Sequence, residues 1–421
     1  MSQDMISVDE ARRRTIELAS QARFRMPVEK VDLFSAVGRV AAADLTSDID
    51  VSPFDNTAMD GFAVVSSSLE GASEEVPVEL EIVDWVGAGI VSQVTLAPGQ
   101  AIRIMTGGIM PEGADAVVKI EDTTFTGDGG VGERVRICAP VTKTNVRKAG
   151  EEAKAGDVVV RAGEVIRAAT VGLLASTGNT VIPVYARPKV GVISIGTELV
   201  KPPAKPEPGK IRDANAYVLG AYALEMGCEV ELYPIVEDDE AAIRSLFERA
   251  IAECDFVVSS GGASNGDFDY AIETVRELGE VVFDCVSLKP GKAQAFGCVE
   301  DTLVEVLSGN PAAAAVGFQL FGRPALRAIQ GFRELDRPAS KAVLAQPTRK
   351  KEARAFFQRG HLELGEDGQL LACQEEKQSS ALLSEMNRST VLIELPQGTG
   401  TFEAGTPVKC LHLDIDEGTV I

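Results

Sequence analysis

The chain has 421 residues, more than one hydrophobic core usually organises, so we expect about two to four domains. A composition of 45% hydrophobic and 25% charged residues excludes a disordered chain and is typical of a globular protein. The formal net charge of -22 repels polyanions and no basic patch offsets it, so we expect no nucleic-acid partner.

No stretch is apolar over the roughly 18 residues that a membrane-spanning helix needs, and the first residues lack the apolar centre of a signal peptide. We therefore expect no membrane association and a cytoplasmic location. The seven cysteines are never spaced as CxxC and should be reduced there. The two histidines, His361 and His412, are not near a cysteine or a carboxylate pair, so the sequence disfavours a zinc site and acid–base chemistry by histidine.

The first half of the chain reads as helix, then short strands, then helix. Ser7, with Glu10 three residues later, predicts the start of an amphipathic helix. Short alternating strands between Gly and Pro turns predict a small β domain over residues 51–140. An apolar helix, AATVGLLAST, follows. Because the first 50 residues lack a core of their own, we expect residues 1–50 and 141–182 to form an elongated unit into which the β domain is inserted.

The second half predicts a multi-domain α/β plus β fold. Residues 183–335 alternate apolar strands with amphipathic helices, and KVGVISIG and FVVSSG are the continuous apolar runs typical of parallel strands covered on both faces. This pattern predicts a doubly wound α/β domain. From residue 336 to 421 short strands with Gly turns return, which predicts a small C-terminal β-barrel.

Four loops of the α/β domain should meet at one edge, because ligands of open α/β sheets bind outside the carboxyl ends of the strands. The loops are Gly196-Thr197-Glu198, Glu237-Asp238-Asp239, GGASNGDFD (261–269) and KPGK (289–292). In the third loop, Gly261, Gly262 and Gly266 allow a tight turn whose amide N–H groups face a phosphate, and Ser264 adds a donor. A purely structural role is the alternative for this loop, namely a glycine-rich turn followed by an aspartate that caps the next helix.

Charged side chains at these loops suggest opposite roles. Lys289 and Lys292 flank a Pro-Gly turn, so both ammonium groups can face one anion; an exposed basic turn is the plain alternative. Four carboxylates from separate loops offer the hard oxygen ligands that suit Mg²⁺, namely Asp60, Glu198, Asp238 and Asp269. Taken singly, a turn aspartate, a helix cap or a solvated acidic run accounts for each of them equally well.

Two segments of the β domain, FDNTAMDGFAV (54–64) and RIMTGGIMPEGADAVVKIED (103–122), combine small polar groups and apolar neighbours more densely than a surface loop requires. The first carries Asp60, and the second carries Thr106 at a strand end. The pattern favours a functional site over a structural loop.

Six segments in order resemble the molybdopterin molybdenumtransferases, the MoeA family, whose eukaryotic relatives include the C-terminal domain of gephyrin. They are DNTAMDGFAV, RIMTGGIMPEGADAVV, GTELV, GGASNGDFD, KPGKA and GNP. The family reads DNSAMDGYAV, RIMTGAPLPEGADAVV, GDELV, GGVSVGDYD, KPGKP and GNP at the same places. The match spans nearly the whole chain.

The resemblance implies a homodimer, joined through the N-terminal unit, whose active site lies between the α/β domain of one subunit and the β domain of the other. It implies a Mg²⁺-dependent transferase in molybdenum cofactor biosynthesis that inserts molybdenum from molybdate into adenylylated molybdopterin and releases AMP. A molybdopterin adenylyltransferase and cofactor-accepting molybdoenzymes would be its partners.

The family motifs also assign residues by position. The implied catalytic set is Asp60, Glu198, Asp269, Lys289 and Lys292. The implied metal ligands are Asp60, Glu198, Asp238 and Asp269. The implied cofactor-binding set is Thr106, Gly261, Gly262, Ser264, Gly266, Asn310, Pro311, Arg354 and Ser380.

The chain departs from the family pattern at four places. Ala263 and Asn265 stand within GGVSVG, SGNPAA replaces PGNPVS, Gly150-Glu151-Glu152 replaces GED, and QSSA at 378–381 replaces QGSG. These changes motivate a second hypothesis, a paralogue with weakened catalysis that acts as a cofactor-binding or scaffolding protein. A third hypothesis, an adenylyltransferase-like activity, rests on the α/β domain, and the β domains argue against it.

Overall fold

The computed structural model describes residues 5–262 and 270–416. Three predicted site residues, Ser264, Gly266 and Asp269, lie outside the described residues, as do the departures Ala263 and Asn265. Within the described ranges, no helix is both long and apolar enough to cross a membrane.

The N-terminal segment starts with the predicted helix. The Ser7 hydroxyl accepts the Glu10 backbone N–H at 3.1 Å and caps α1, which confirms the predicted start. Apolar residues of α1 pack into the core of the α/β domain, beside its last helix. The elements of this segment are α1 (Val8–Ala19), β1 (Val28–Asp32), β2 (Leu45–Thr46) and β3 (Asn56–Thr57).

A six-stranded sheet follows, with strand order β7-β4-β6-β5-β9-β8. Alternate residues of its strands face two separate apolar cores; Phe62 lies in one and Ala63 in the other. The strands are β4 (Gly61–Val64), β5 (Val78–Val86), β6 (Gln100–Ile104), β7 (Ala116–Lys119), β8 (Thr123–Phe125) and β9 (Arg134–Ile137).

The returning chain pairs with the outgoing chain. Its elements are β10 (Val146–Arg147), β11 (Val158–Val160), α2 (Ala168–Ser176) and β12 (Val181–Tyr185). β10 pairs with β3, β11 with β2 and β12 with β1, all antiparallel. These nested pairs hold the two ends of the inserted sheet side by side.

The α/β domain has one six-stranded sheet of order β16-β13-β17-β21-β20-β18, with an apolar core on each face. The first four strands in that order are parallel, and β20 runs antiparallel to both its neighbours. Its elements are β13 (Lys189–Ser194), β14 (Leu199–Val200), β15 (Ile211–Arg212), α3 (Asn215–Glu225), β16 (Glu229–Leu232), α4 (Glu240–Glu253), β17 (Phe256–Ser260), α5 (Tyr270–Leu278), β18 (Glu280–Cys285), β19 (Leu288–Lys289), β20 (Ala293–Val299), β21 (Thr302–Leu307), α6 (Pro311–Leu320) and α7 (Gly322–Ile329).

The C-terminal region contains a closed barrel. Strands β24, β25, β22, β28 and β26 pair in that order, and β26 pairs back with β24. The two-residue strand β19 of the α/β domain adds to β24 in parallel. The remaining elements are β22 (Ala339–Leu344), β23 (Thr348–Lys350), β24 (Ala355–Leu364), β25 (Leu370–Gln374), α8 (Leu383–Arg388), β26 (Val391–Leu395), β27 (Gly400–Phe402) and β28 (Pro407–His412). The predicted fold class, a doubly wound α/β domain with β domains and a C-terminal barrel, is confirmed.

Candidate functional site

Two of the four predicted loops meet where β13 ends. Thr197 donates its backbone N–H and its hydroxyl to Asp238 Oδ2, at 3.2 and 3.3 Å. The bridge between Ile195 and Val236 continues the β13–β16 pairing and holds the two loops together. The carboxylates of Asp238 and Glu198 therefore belong to one strand edge, as the sequence predicted.

The glycine turn after β17 lies at the same edge. Gly261 and Gly262 have φ angles of +96° and +68°, in the region that side chains disfavour. A Cβ atom on Gly261 would also collide with the Ile195 carbonyl oxygen. The tight turn predicted for these two glycines is present, and no other residue type fits at Gly261.

Asn215, a residue that the sequence did not single out, ties this turn to the loop after β21. Its buried side-chain amide donates to Ser260 Oγ at 2.6 Å and to the Gly309 carbonyl at 2.9 Å. Asn215 stands at the first position of α3, directly behind the glycine turn. Asn215 therefore fixes the spacing between the glycine turn and the start of α6.

The amino terminus of α6 faces this edge. Asn310 precedes the helix without a side-chain capping bond, and Pro311 occupies the first turn, where its missing N–H costs nothing. The Ala312 N–H donates to the Ser380 carbonyl at 2.8 Å. Asn310, Pro311 and Ser380, all predicted site residues, are thus brought together, and the barrel supplies one cap of α6.

The segment that ends in Ser380 is bonded to Arg359 of the barrel through the two residues before it. The Gln378 side chain accepts the Arg359 N–H at 3.0 Å and donates to the Arg359 carbonyl at 2.8 Å. The fully buried Arg359 guanidinium donates to the Ser379 carbonyl at 3.0 Å, and burial lowers the pKa of that guanidinium. Gln378 and Arg359 were not predicted, because their role depends on a cross-strand position.

Lys289 and Arg354 share one carboxylate. Lys289 Nζ lies 3.1 Å from Glu352 Oε1 and 4.9 Å from the centre of the Phe356 ring. Arg354 pairs with the same carboxylate and also donates to the Leu288 carbonyl at 2.9 Å. Arg354, and then Lys289, lower the pKa of Glu352. The sequence missed Glu352, because it lies in a bend before β24, where no periodic pattern indicates which way a side chain points.

Lys292, the second predicted lysine of the turn, is exposed, and its carbonyl accepts the Val286 N–H at 3.0 Å. Gly291, between the lysines, lies against Ala313 of α6. The KPGK turn is therefore close to the α6 terminus, and the joint binding of one anion by both lysines stays a prediction.

Asp60 and Thr106 meet in the inserted β domain. Asp60 Oδ1 accepts the Thr106 backbone N–H and the Thr106 hydroxyl, both at 2.7 Å. These two donors lower the pKa of Asp60 below its ordinary value. Among the residues the structure describes, no hydrogen bond or ion pair links either side chain to the α/β edge.

A cleft of about 720 Å³ lies beside this pair. It is formed where the inserted domain joins the N-terminal unit, by residues 51–56 and 147–152, which we call the hinge. Asp55 closes the hinge by accepting from Lys148 Nζ at 2.7 Å and from the Ala149 N–H at 2.8 Å. The wall of the cleft combines apolar and polar residues, namely Val51, Ser52, Phe54, Asn56, Gly107, Arg147, Lys148, Glu151 and Glu152. The departure from GED, Glu151-Glu152, therefore lines a concave surface.

The sequence predicted that neither histidine lies near a cysteine, and for His361 this is wrong. His361 of β24 stands opposite Cys373 of β25 and lies 3.1 Å from a Glu363 oxygen. The sequence separates His361 from Cys373 by a hairpin, so only the strand register brings them together. His412, by contrast, is buried and bonds to Ser340 at 3.0 Å.

Three family models cover most of the chain. Residues 6–178 match the MoeA N-terminal region (domain I and II), residues 191–328 a probable molybdopterin binding domain, and residues 341–413 the MoeA C-terminal region (domain IV). The molybdopterin molybdenumtransferase of Bacillus subtilis is 36% identical over 98% of this chain and 95% of that protein. The chain belongs to the MoeA family.

Other members of the family are also similar to this chain over nearly its whole length. The molybdopterin molybdenumtransferase of Haemophilus influenzae is 34% identical over 96% of this chain and 98% of that protein. The crystal structure of the molybdopterin biosynthesis MoeA protein from Pyrococcus horikoshii superposes with a TM-score of 0.81 at 29% identity, covering 97% of this chain and all of that one. The resemblance drawn from the six sequence segments is confirmed.

Proposed function

We propose that this chain is a transferase of molybdenum cofactor biosynthesis that inserts molybdenum from molybdate into adenylylated molybdopterin and releases AMP. The observation that carries the proposal is a pair of contacts: Gly309, before α6, lies against the Gly261 turn, and Gly291 of the KPGK turn, which also carries Lys289, lies against Ala313 of α6. Full-length similarity to proteins named molybdopterin molybdenumtransferase supports the same activity and does not favour a scaffolding role.

The edge suits a phosphorylated ligand. Backbone N–H groups of a glycine turn and of a helix start favour bound phosphate, and Lys289 and Arg354 add positive charge in a chain of net charge -22. Cleavage of a phosphate anhydride needs the reacting groups to be positioned and the developing charge to be stabilised, and no histidine nucleophile is required. Lys289 and Lys292 would act on that charge, while Arg354 and Ser380 would orient the ligand.

Mg²⁺ fits the donors at the β13 edge. Glu198 and Asp238 offer carboxylate oxygens on adjoining loops, the ligand type that Mg²⁺ takes together with substrate phosphates. Asp269, outside the described residues, and Asp60 would complete the set. The ion would neutralise charge on the phosphates as the anhydride bond breaks.

We infer that the functional unit is a homodimer. Asp60 and Thr106 belong to the inserted domain, and their polar face would serve the α/β edge of a second copy. The cleft beside them would receive the part of the pterin ligand that extends from the other subunit. A molybdopterin adenylyltransferase would supply the substrate, and molybdoenzymes would accept the product.

A reconstituted reaction with adenylylated molybdopterin, Mg²⁺ and molybdate tests the proposal. AMP release together with active cofactor is the expected result. Tight binding of the pterin without AMP release would support the weakened paralogue instead, and ATP consumption with free molybdopterin would support an adenylyltransferase.

Single variants locate the site. Asp60→Ala and Lys289→Ala should lower the rate of AMP release without unfolding the chain, because both residues lie at the ends of short strands near loops. Lys341→Ala, an exposed lysine on β22, is the matched control. Full AMP release by a folded Asp60→Ala or Lys289→Ala variant would remove that residue from the site. Asp269→Asn should raise the Mg²⁺ concentration needed for half-maximal rate.

A further inference from the structure

The outer face of the β24–β25 hairpin carries a set of metal-ligating side chains that the proposed reaction does not use. His361, Glu363 and Cys373 each offer one ligand atom, and these atoms lie within 4.8 Å of one another. Within the described ranges no other group of three such residues is as close.

The strand register explains why they meet. His361 and Cys373 are directly opposite in the antiparallel ladder, and Glu363 follows His361 by two residues on the same face. The intervening residues Leu362 and Ala372 point into the barrel core. The set is therefore built on two paired strands, a more rigid support than a loop.

The histidine ring is oriented on both sides. Its Nε2 lies 3.1 Å from Glu363 Oε1, and its Nδ1 lies 3.6 Å from Glu375 Oε1. Glu375, whose side chain is only 14% exposed, also approaches Arg388 of α8 at 3.6 Å. Metal-bound histidines commonly have a carboxylate behind the ring nitrogen that does not bind the metal, and Glu375 lies on that side of the His361 ring.

We propose that His361 Nε2, the Glu363 carboxylate and the Cys373 thiolate bind a zinc-class divalent ion, with Glu375 accepting the Nδ1–H. Nitrogen, sulfur and oxygen ligands together suit Zn²⁺ rather than Mg²⁺ or Ca²⁺. Ligand atoms bonded to zinc at about 2.0 to 2.3 Å lie nearer to each other than 4.8 Å, so the more distant pairs have to approach by up to about 1 Å on binding. The side chains of His361 and Glu363 are 40% and 60% exposed, so rotamer changes accommodate the contraction.

Bound metal would join the two strands and act as a clamp on the barrel. Three protein ligands leave a fourth position for water, as in zinc sites that exchange a ligand. Through Glu375 and Arg388 the clamp also reaches α8, which packs on β24. The site is separate from the carboxylates assigned to Mg²⁺, so its occupancy and AMP release are independent tests.

Metal binding by the full-length chain is the direct experiment. Chelator-treated protein is dialysed against buffered Zn²⁺ or Co²⁺ with excess Mg²⁺ present, and bound metal is measured by elemental analysis. We expect one Zn²⁺ per chain, and a thiolate-to-cobalt charge-transfer band in the Co²⁺ form. Zinc should also raise the melting temperature, because the ion binds the folded chain and not the unfolded one.

Variants distinguish this site from adventitious binding. Cys373→Ser should abolish the charge-transfer band and the rise in melting temperature, and Glu375→Gln should weaken binding by about 10-fold to 100-fold. Cys138→Ser, which changes another half-buried cysteine, is the matched control and should keep both signals. Circular dichroism checks that each variant is folded. Equal zinc binding by wild type and a folded Cys373→Ser protein, or no zinc retained by wild type, would overturn the proposal.

Discussion

At the scale of single residues, Lys289 and Arg354 are already paired before any ligand binds. Both cations contact the Glu352 carboxylate, so an anionic ligand has to compete with that carboxylate for them. Glu352 therefore holds the two cations in position, and it is the carboxylate that an anion bound there would displace.

Glu352→Gln should tighten the binding of an anionic probe. Exposed ion pairs are worth at most about 1 kcal/mol, so we expect pyrophosphate to bind up to about five-fold more tightly at low salt. Titration calorimetry with pyrophosphate measures the change. Glu376→Gln, at an exposed position in the segment between β25 and α8, serves as the control. Weaker binding by Glu352→Gln would mean that the carboxylate positions the cations more than it screens them.

A second residue-scale feature is the carboxyl of Glu305, buried in β21 between β17 and β20. Burial raises its pKa from 4.5 to about 8. Between pH 4.5 and about pH 8, Glu305 therefore keeps its proton in the folded chain but has lost it in the unfolded chain. Glu305 thus costs no stability below pH 4.5, and the free energy of unfolding falls as the pH rises toward 8.

Glu305→Gln should remove this pH dependence. Relative to wild type, the variant should gain about 2 to 4 kcal/mol of stability between pH 5 and pH 9, since each pKa unit corresponds to about 1.4 kcal/mol. Denaturant unfolding at both pH values measures the difference. Glu280→Gln, an exposed carboxyl of β18, is the control. Parallel stability curves for wild type and Glu305→Gln would show that the carboxyl ionises within the fold.

At the scale of elements, the barrel supports the start of α6 through one segment, residues 377–380. Gln378 bonds the backbone of Arg359 as a neighbouring strand would, and Ser380 then caps α6. The replacement of QGSG by QSSA leaves these contacts intact, because Gln378 keeps its place and Ser380 acts through its carbonyl. Nothing in the structure explains why this chain has SGNPAA where the family has PGNPVS.

Gln378→Ala tests this support. The Arg359 N–H would be left buried without its acceptor, so we expect a loss of about 1 to 3 kcal/mol of stability. Gln397→Ala, at an exposed position, should stay within about 0.5 kcal/mol of wild type. Chemical denaturation measures both. A stability loss no larger than that of the control would mean that water replaces the side chain.

The sequence predicts elements better than the contacts between them. Apolar runs such as KVGVISIG and FVVSSG predicted β13 and β17, because strands covered on both faces need continuous apolar residues. Strand order and placement at the carboxyl edge then brought Gly261 next to Ile195, as expected. The pairing of His361 with Cys373, and of Lys289 with Glu352, depends on register across a hairpin and between domains, which no local pattern in one sequence records.

At the scale of the whole molecule, the proposed dimer predicts complementation. In the proposed dimer, Asp60→Ala or Lys289→Ala alone should impair every site, because each homodimer then carries the change in both subunits. After the two variants are mixed and allowed to exchange subunits, half of the dimers are mixed, and each mixed dimer has one intact site if the residues come from different subunits. We expect about one quarter of wild-type AMP release, measured after unfolding and refolding the mixture. Activity no greater than that of the separate variants would assign Asp60 and Lys289 to one subunit.

The strand β19 has one more consequence. Leu288 and Lys289 end the approach to the KPGK turn and, at the same time, extend the barrel by pairing with Ala355 and Phe356. A rotation of the barrel against the α/β domain would therefore carry the Lys289 ammonium group with it. A binder that fixes the barrel from outside would therefore also fix the position of Lys289, without touching the KPGK turn itself.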